Sequence, residues 1–467
     1  MAVGIVCLAA SAASAQMPNY WLATPPSVVG APPAPPPPPE IPDVPFAAAR
    51  DVQSVATLKI DKDFKPIAPQ APLWMGSNEV ALLGTRHGQI TLLAYYGEHF
   101  ANSRVLADPS TVRGGTILDM AVSRDGRRLA IAAATHDKLQ IWLRDTNGDA
   151  PASVAAAMDG AYSKAGIAWL DAATLAVGTQ SAAIAAPTPT PAPDATQPPT
   201  DNPQPPAEPT RSLHVVKIGA QEEPASLDLD CLEQVDPTAI LWSPDGNYGI
   251  GQVDEQDKWM LIDRSKVSCE ALKLPAIAPA GFIAWEKESR QFLFTATPAR
   301  LRDTSHVGVM EYSLKLHKAR LLASPATAAA YVNAGRIAIL GSRHLNAAMI
   351  VRSPDTLMGA EIAWINPGQG ELNIVPTGFK TTAAELLGAR LRYSVKGLLA
   401  TSFQTPGPKG AFTVLLWLSA ASDNGGVLGT GRIGRMTAAN WSPDGSKLAV
   451  LAGLPETPTL AIIASPQ

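Results

Sequence analysis

Three aspartates stand at equivalent places in this chain: Asp125 in "AVSRDGRRLAI", Asp245 in "LWSPDGNYGI" and Asp444 in "NWSPDGSKLAV". Carboxylates gathered by a repeated unit could hold a metal ion or exchange protons. A simpler role is also available to them. In Ser243-Pro244-Asp245-Gly246, Ser suits the first position of a type I turn and Pro244 presets φ at the second. Asp245 tolerates the third position, and Gly246 takes the left-handed conformation that follows. Ser442-Pro443-Asp444-Gly445 repeats the pattern, and Ser123-Arg124-Asp125-Gly126 keeps it without the proline. Recurrence at one fixed place assigns these aspartates to turns rather than to catalysis.

The other chemically able residues form no constellation. His87, His99, His136, His214, His306, His317 and His344 show neither i, i+4 pairing nor metal-ligand spacing, and read as surface or satisfied histidines. Acidic pairs occur at Asp61 and Asp63, at Asp145 and Asp149, and at Asp228 and Asp230. "DTNGD" alternates oxygen donors around a Gly as a calcium loop does, but lacks the later bidentate Glu, so it reads as a turn. No G-x-S-x-G, phosphate loop or dinucleotide fingerprint is present. No catalytic residue, cofactor-binding residue or metal ligand is therefore assigned, and no cofactor is expected. Propeller enzymes can still assemble a metal site from residues scattered over a ring, which spacing does not reveal.

Cysteine usage is sparse. Apart from Cys7, the chain has Cys231 and Cys269, an even pair compatible with a disulfide in an exported protein or with two separate buried thiols. The start, "MAVGIVCLAASAASAQ", is a short apolar run followed by Ala13-Ser14-Ala15 before Gln16. That is the pattern of a secretory signal peptide over residues 1–15, with a truncated charged region. "GIVC" lacks the small residue expected before a lipidated Cys7. Periplasmic or secreted location follows, and no further segment is long and apolar enough to span a bilayer. A net charge of −4 gives no electrostatic footprint for nucleic acid.

The elements that would position these residues repeat. Anchors are Trp74, Val122 (in the place of a tryptophan), Trp169, Trp242, Trp285, Tyr331, Tyr393 and Trp441. Each opens a short polar turn followed by a small apolar run. Successive anchors lie 48, 47, 73, 43, 46, 62 and 48 residues apart. The longest gap contains the Pro/Thr-rich run at 186–210, and without those 25 residues it becomes 48. The run is therefore an insertion within one repeat and not a domain boundary. The 62-residue gap contains "TTAAELLGARL", where Thr382 and Glu385 have the spacing of a capping box, predicting a short helix.

A period near 45 residues built of short apolar runs fits a four-stranded propeller blade. At Trp242 the runs are "AILW", "YGIGQV", "KWMLIDR" and "SCEALKL". The "WSPDG" core with its apolar tail resembles the blade repeat of TolB and other WD-like propellers, strongly in three units and loosely in five. What the resemblance implies is the fold alone, since the α/β domain that precedes the TolB propeller has no counterpart here. The fold class expected is an all-β propeller over residues 51–467. Eight blades are expected, or seven if the Tyr331 or Tyr393 unit belongs to a neighbour. The last unit stops after its third strand, so "SVATLKI" at 54–60 is expected to supply the fourth and close the ring.

Residues 16–50 are rich in proline, with 12 prolines between Pro18 and Pro45, and predict an extended polyproline arm that tethers, docks or merely spaces. These readings favour a non-enzymatic interaction platform or scaffold in the bacterial cell envelope, serving an unidentified envelope protein. A lactonase- or lyase-type propeller enzyme with a metal at the channel mouth is the alternative, and a structural subunit of a larger envelope complex is another.

Overall fold

The computed structural model describes residues 54–67, 71–148, 150–182, 209–220, 223–253, 258–274, 277–298, 308–324, 326–332, 336–342, 345, 355–365, 372–406, 412–419, 427–433, 436–453 and 458–465. The expected signal peptide (1–15), the arm (16–50) and the insertion core (186–208) lie outside them. The strands group into eight antiparallel sheets, and consecutive strands within each sheet are neighbours. Seven sheets use strands from one stretch of chain: 64–107, 116–159, 162–226, 241–271, 277–323, 326–382 and 392–433. The Tyr331 and Tyr393 units each have four strands of their own.

The eighth sheet joins the two ends of the described chain. Met436–Trp441, Lys447–Ala452 and Thr459–Ala464 are its first three strands, and Ser54–Lys59 pairs with the third. Thr57 faces Ala461 and Leu58 faces Leu460 across this seam. Without Ser54–Lys59 the strand Thr459–Ala464 would present a row of open backbone donors and acceptors.

Packing shows that the sheets follow one another around a closed ring. Eight clusters of buried apolar side chains occur among the described residues, one at each interface between successive sheets. The cluster that closes the circle joins Trp74, Val80 and Leu82 of the first blade to Leu451, Leu460 and Ile462 of the last. This is an all-β propeller of four-stranded blades.

The sequence of each second strand reflects its place. Arg128–Ala134 ("RLAIAAA") and Lys447–Ala452 ("KLAVLA") are buried almost throughout. Both faces of such a strand meet a neighbouring sheet, so side chains alternating in direction must all be apolar. Alanines keep the sheets close without overpacking.

The first blade has a feature that the repeat pattern did not contain. Its inner strand is broken in two, and both Phe64–Pro66 and Leu73–Trp74 pair with Glu79–Arg86. Gly84 permits this, because a Cβ there would stand 2.4 Å from the Phe64 ring. The expected short helix is Ala383–Gly388, with Thr382 as N-cap accepting from the Glu385 N–H.

Candidate functional site

The three recurring aspartates occupy turns with the same hydrogen-bond pattern. In each, the Gly N–H donates to the Ser carbonyl at 2.8–2.9 Å, and the Gly lies at φ +72, +68 and +66 for Gly126, Gly246 and Gly445. The Ser243 and Ser442 hydroxyls donate to Asp245 and Asp444 at 2.6 and 2.7 Å, and Ser123 does the same to Asp125. The N–H two residues beyond each aspartate donates to the same oxygen at 3.0–3.1 Å. These bonds stabilise the ionised form. The Ser123 hydroxyl is the main cause holding Asp125 below the usual carboxylate range. For Asp245 and Asp444, partial burial pushes upward, and the hydrogen bonds outweigh it. A carboxylate so engaged is a turn constituent with little capacity left for proton transfer.

The turns also lock onto one another. Gly246 packs against Leu170 of the preceding blade, and Gly445 against Ser394 and Val395. The Ser289 hydroxyl accepts from the Asp245 N–H at 3.0 Å. Arg128 donates to the Ala172 carbonyl, and at the matching place Lys447 donates to the Ser77 carbonyl. Arg124 reaches two blades on, to the Ser243 carbonyl at 3.2 Å.

The tryptophan anchors complete this system. Indole Nε1 of Trp74, Trp169, Trp285 and Trp441 donates to the carbonyls of Asn440, Ala121, Leu241 and Arg392 at 2.9–3.1 Å. Each acceptor is the residue immediately before the anchor of the preceding blade, respectively Trp441, Val122, Trp242 and Tyr393. Tyr331 opens its unit differently: its hydroxyl lies 3.4 Å from Glu311 of the preceding blade.

The remaining sequence candidates are dispersed. Cys231 and Cys269 form a disulfide that ties a 3-10 turn to the last strand of the Trp242 blade. His87, His99 and His317 take left-handed turn conformations, and His317 pairs with Glu270 at 2.7 Å. His214 Nε2 meets the Ser212 hydroxyl at 2.9 Å, but its buried Nδ1 has no partner to orient it as a general base. His306, His344 and Asp149 lie outside the described residues. Asp61 and Asp63 both face Arg86. No group of three metal-capable side chains occurs among the described residues.

A concave site that sequence spacing did not reveal lies between the Tyr393 blade and the last blade. It is a cavity of about 340 Å³ bounded by the Ala383–Gly388 helix, the strand Leu398–Thr405 and the inner strand Met436–Trp441. The helix buries Ala383 and Leu386 against the sheets. Arg390 then folds back, its Nη1 donating to the carbonyls of Leu387 and Ala389 at 3.2 and 3.0 Å. This satisfies acceptors left open at the helix end.

Two residues later, Arg392 donates through Nε to the Ala439 carbonyl at 3.1 Å. Its terminal nitrogens make no hydrogen bond or ion pair among the described residues. Burial, and then the charge of Arg390, pull the Arg392 pKa down. Both arginines line the cavity, as do Glu385, Ser402, Thr413 and Phe403. Glu385 Oε2 is already bonded to the Gln404 N–H at 3.0 Å. The signal in sequence would have been the alternation Arg390-Leu391-Arg392, which nothing marks until the blades are assembled.

Comparison with known proteins agrees with this architecture. Residues 46–215 match a family described as the lipoprotein LpqB beta-propeller domain. The match covers the closing strand, the first two blades and part of the third. No curated protein matches the chain.

Proposed function

We propose that this chain is an exported, non-enzymatic propeller that presents one face of its ring to a protein partner in the bacterial cell envelope. The observation that carries this reading is the distribution of exposed apolar side chains. In a blade of successive antiparallel strands, the first and third turns emerge on the same face. Val395 lies in such a first turn, Val267 and Leu316 lie in third turns, and Val154 is the second residue of a fourth strand just after one. These residues are 67, 46, 65 and 46% exposed, against 47 and 36% for Leu357 and Leu387 toward the other face. The former stand on the same face as the interlocked Ser-x-Asp-Gly turns, which hold it rigid. A stiff surface with projecting apolar side chains loses little conformational freedom on binding.

Similarity of residues 46–215 to a lipoprotein propeller domain supports an envelope location, as does the signal-peptide pattern of residues 1–15. The Pro-rich segment at 16–50 would give a second contact. Affinity capture from envelope fractions tests the reading, using the mature chain and a chain lacking residues 16–50. Recovery of one specific protein by the mature chain supports it, and recovery of none by either chain contradicts it.

A further inference from the structure

The cavity beside the Ala383–Gly388 helix has a composition that points to a ligand. An ionised guanidinium withdrawn from water is costly unless it is paired. Arg392 is half-buried, yet only its Nε is bonded to protein. Its carbonyl is engaged by Trp441 at 2.9 Å, so the backbone that carries the side chain is fixed to the ring. Arg390 adds a second guanidinium, of which Nη1 alone is committed to helix carbonyls. Ser402 and Thr413 are buried residues on the cavity wall, and neither hydroxyl makes a hydrogen bond among the described residues. The one carboxylate on the wall, Glu385, accepts from the Gln404 N–H and offsets only one of the two guanidinium charges, so the wall stays net cationic. Met436, Ala438 and Ala439 supply the apolar part of the wall.

We propose that this pocket binds a small organic oxyanion, a carboxylate or phosphate on a compact and partly apolar body, with Arg392 as its principal contact. The terminal nitrogens of a guanidinium match two oxygens of either group. Arg390, Ser402 and Thr413 would take the remaining oxygens, and Met436 would pack on the body. A cavity of about 340 Å³ stands at the lower end of the range for small-molecule sites. The inference is separate from the proposed partner surface, and either can fail without the other.

The test is calorimetry and ligand-detected NMR at fixed ionic strength with phenyl phosphate, 3-phenylpropanoate and the neutral 3-phenylpropan-1-ol. The expected result is saturable one-to-one binding of at least one anion and none of the alcohol. Binding of phenyl phosphate alone identifies a phosphate site, and binding of 3-phenylpropanoate alone a carboxylate site. Arg392→Gln is expected to weaken binding by about tenfold or more. Since Arg392 also bonds Ala439 and Arg390 the helix end, Ser402→Ala is measured beside Arg390→Gln, both expected to weaken binding severalfold and Ser402→Ala to do so with an unchanged melting temperature. Absence of saturable anion binding at millimolar concentrations overturns the proposal. So does equal binding of the alcohol, or affinity unchanged in all three variants.

Discussion

Indole Nε1 of Trp74 donates to the carbonyl of Asn440, 3.0 Å away in space and 366 residues away along the chain. The Asn440 side chain answers by donating to the Pro72 carbonyl at 3.1 Å. Lys447 adds bonds to the Ser77 carbonyl and to Asn78, both at 2.9 Å. The junction of first and last blades thus uses the same bond as the junctions inside the chain, where Trp169, Trp285 and Trp441 make it. Ring closure is built from the repeat itself, with the strand Ser54–Lys59 added to finish the last sheet.

Trp74→Phe removes the donor at this junction and leaves the Asn440 carbonyl short of a partner. The expected cost is about 1–2 kcal/mol in urea unfolding, the range for a lost hydrogen bond with a stranded, partly buried acceptor. Trp285→Phe removes the corresponding bond at an exposed place, so its cost is expected to be smaller. Equal costs for the two variants would show that burial of the bond does not set its contribution.

Glycines in the turns separate conformation from packing. Gly246 lies at φ +68, and a Cβ there would stand 2.7 Å from both the Leu170 carbonyl oxygen and Leu170 Cβ. Gly397 lies at φ +79 with nothing within 4 Å of its Cβ position. Gly397→Ala is expected to cost about 1–2 kcal/mol, the price of the left-handed conformation alone. Gly246→Ala must also push two blades apart, and a melting temperature well below that of Gly397→Ala is expected. Matching melting temperatures would show that the turns do not bear on one another.

Acid should weaken the turns in a defined direction. A carboxylate with a folded-state pKa below its unfolded value of about 3.9 adds stability above that pH and loses it as pH falls through the folded value. Asp444 and Asp245 are both lowered, through bonds that include the next blade's Ser77 and Ser289. Melting temperature is expected to fall as pH drops below about 4, and Asp444→Asn should flatten that fall. Parallel pH profiles for the two proteins would count against the assignment.

The Cys231–Cys269 bridge closes a loop with a sequence separation of 38 residues. Chain entropy places its contribution at about 3–4 kcal/mol. The double variant Cys231→Ser, Cys269→Ser should melt several degrees lower than the oxidised protein, and reductant should reproduce the shift in the parent alone. An oxidised parent that melts with the double variant would remove the bridge from the account.

The fold was legible because its signal is local and repeated: a turn with Pro and Gly at fixed places, an aromatic before it and an apolar run after it. Spacing alone brought out the closing strand, since a unit that stops after three strands needs a fourth. What stayed hidden depends on contacts between units. The indole bonds join residues about one repeat apart, and no residue type at the acceptor announces a carbonyl. Phe64–Pro66 is too short to carry a period. Ser289 fills the left-handed turn position that glycine holds elsewhere, so "EKESR" resembles the motif only after folding. The cavity draws Arg390 and Arg392 from one blade and Met436 to Ala439 from another, and neither stretch alone marks a site.

The central claim is that the face carrying the interlocked turns meets a protein in the envelope. Photo-crosslinking residues placed at Leu316 and Val395 on that face, and at Leu357 and Leu387 toward the opposite one, test it in the native cell. The account predicts a discrete protein adduct from positions 316 and 395 and none from 357 and 387. No adduct from the turn face, or the same adducts from both faces, would contradict it.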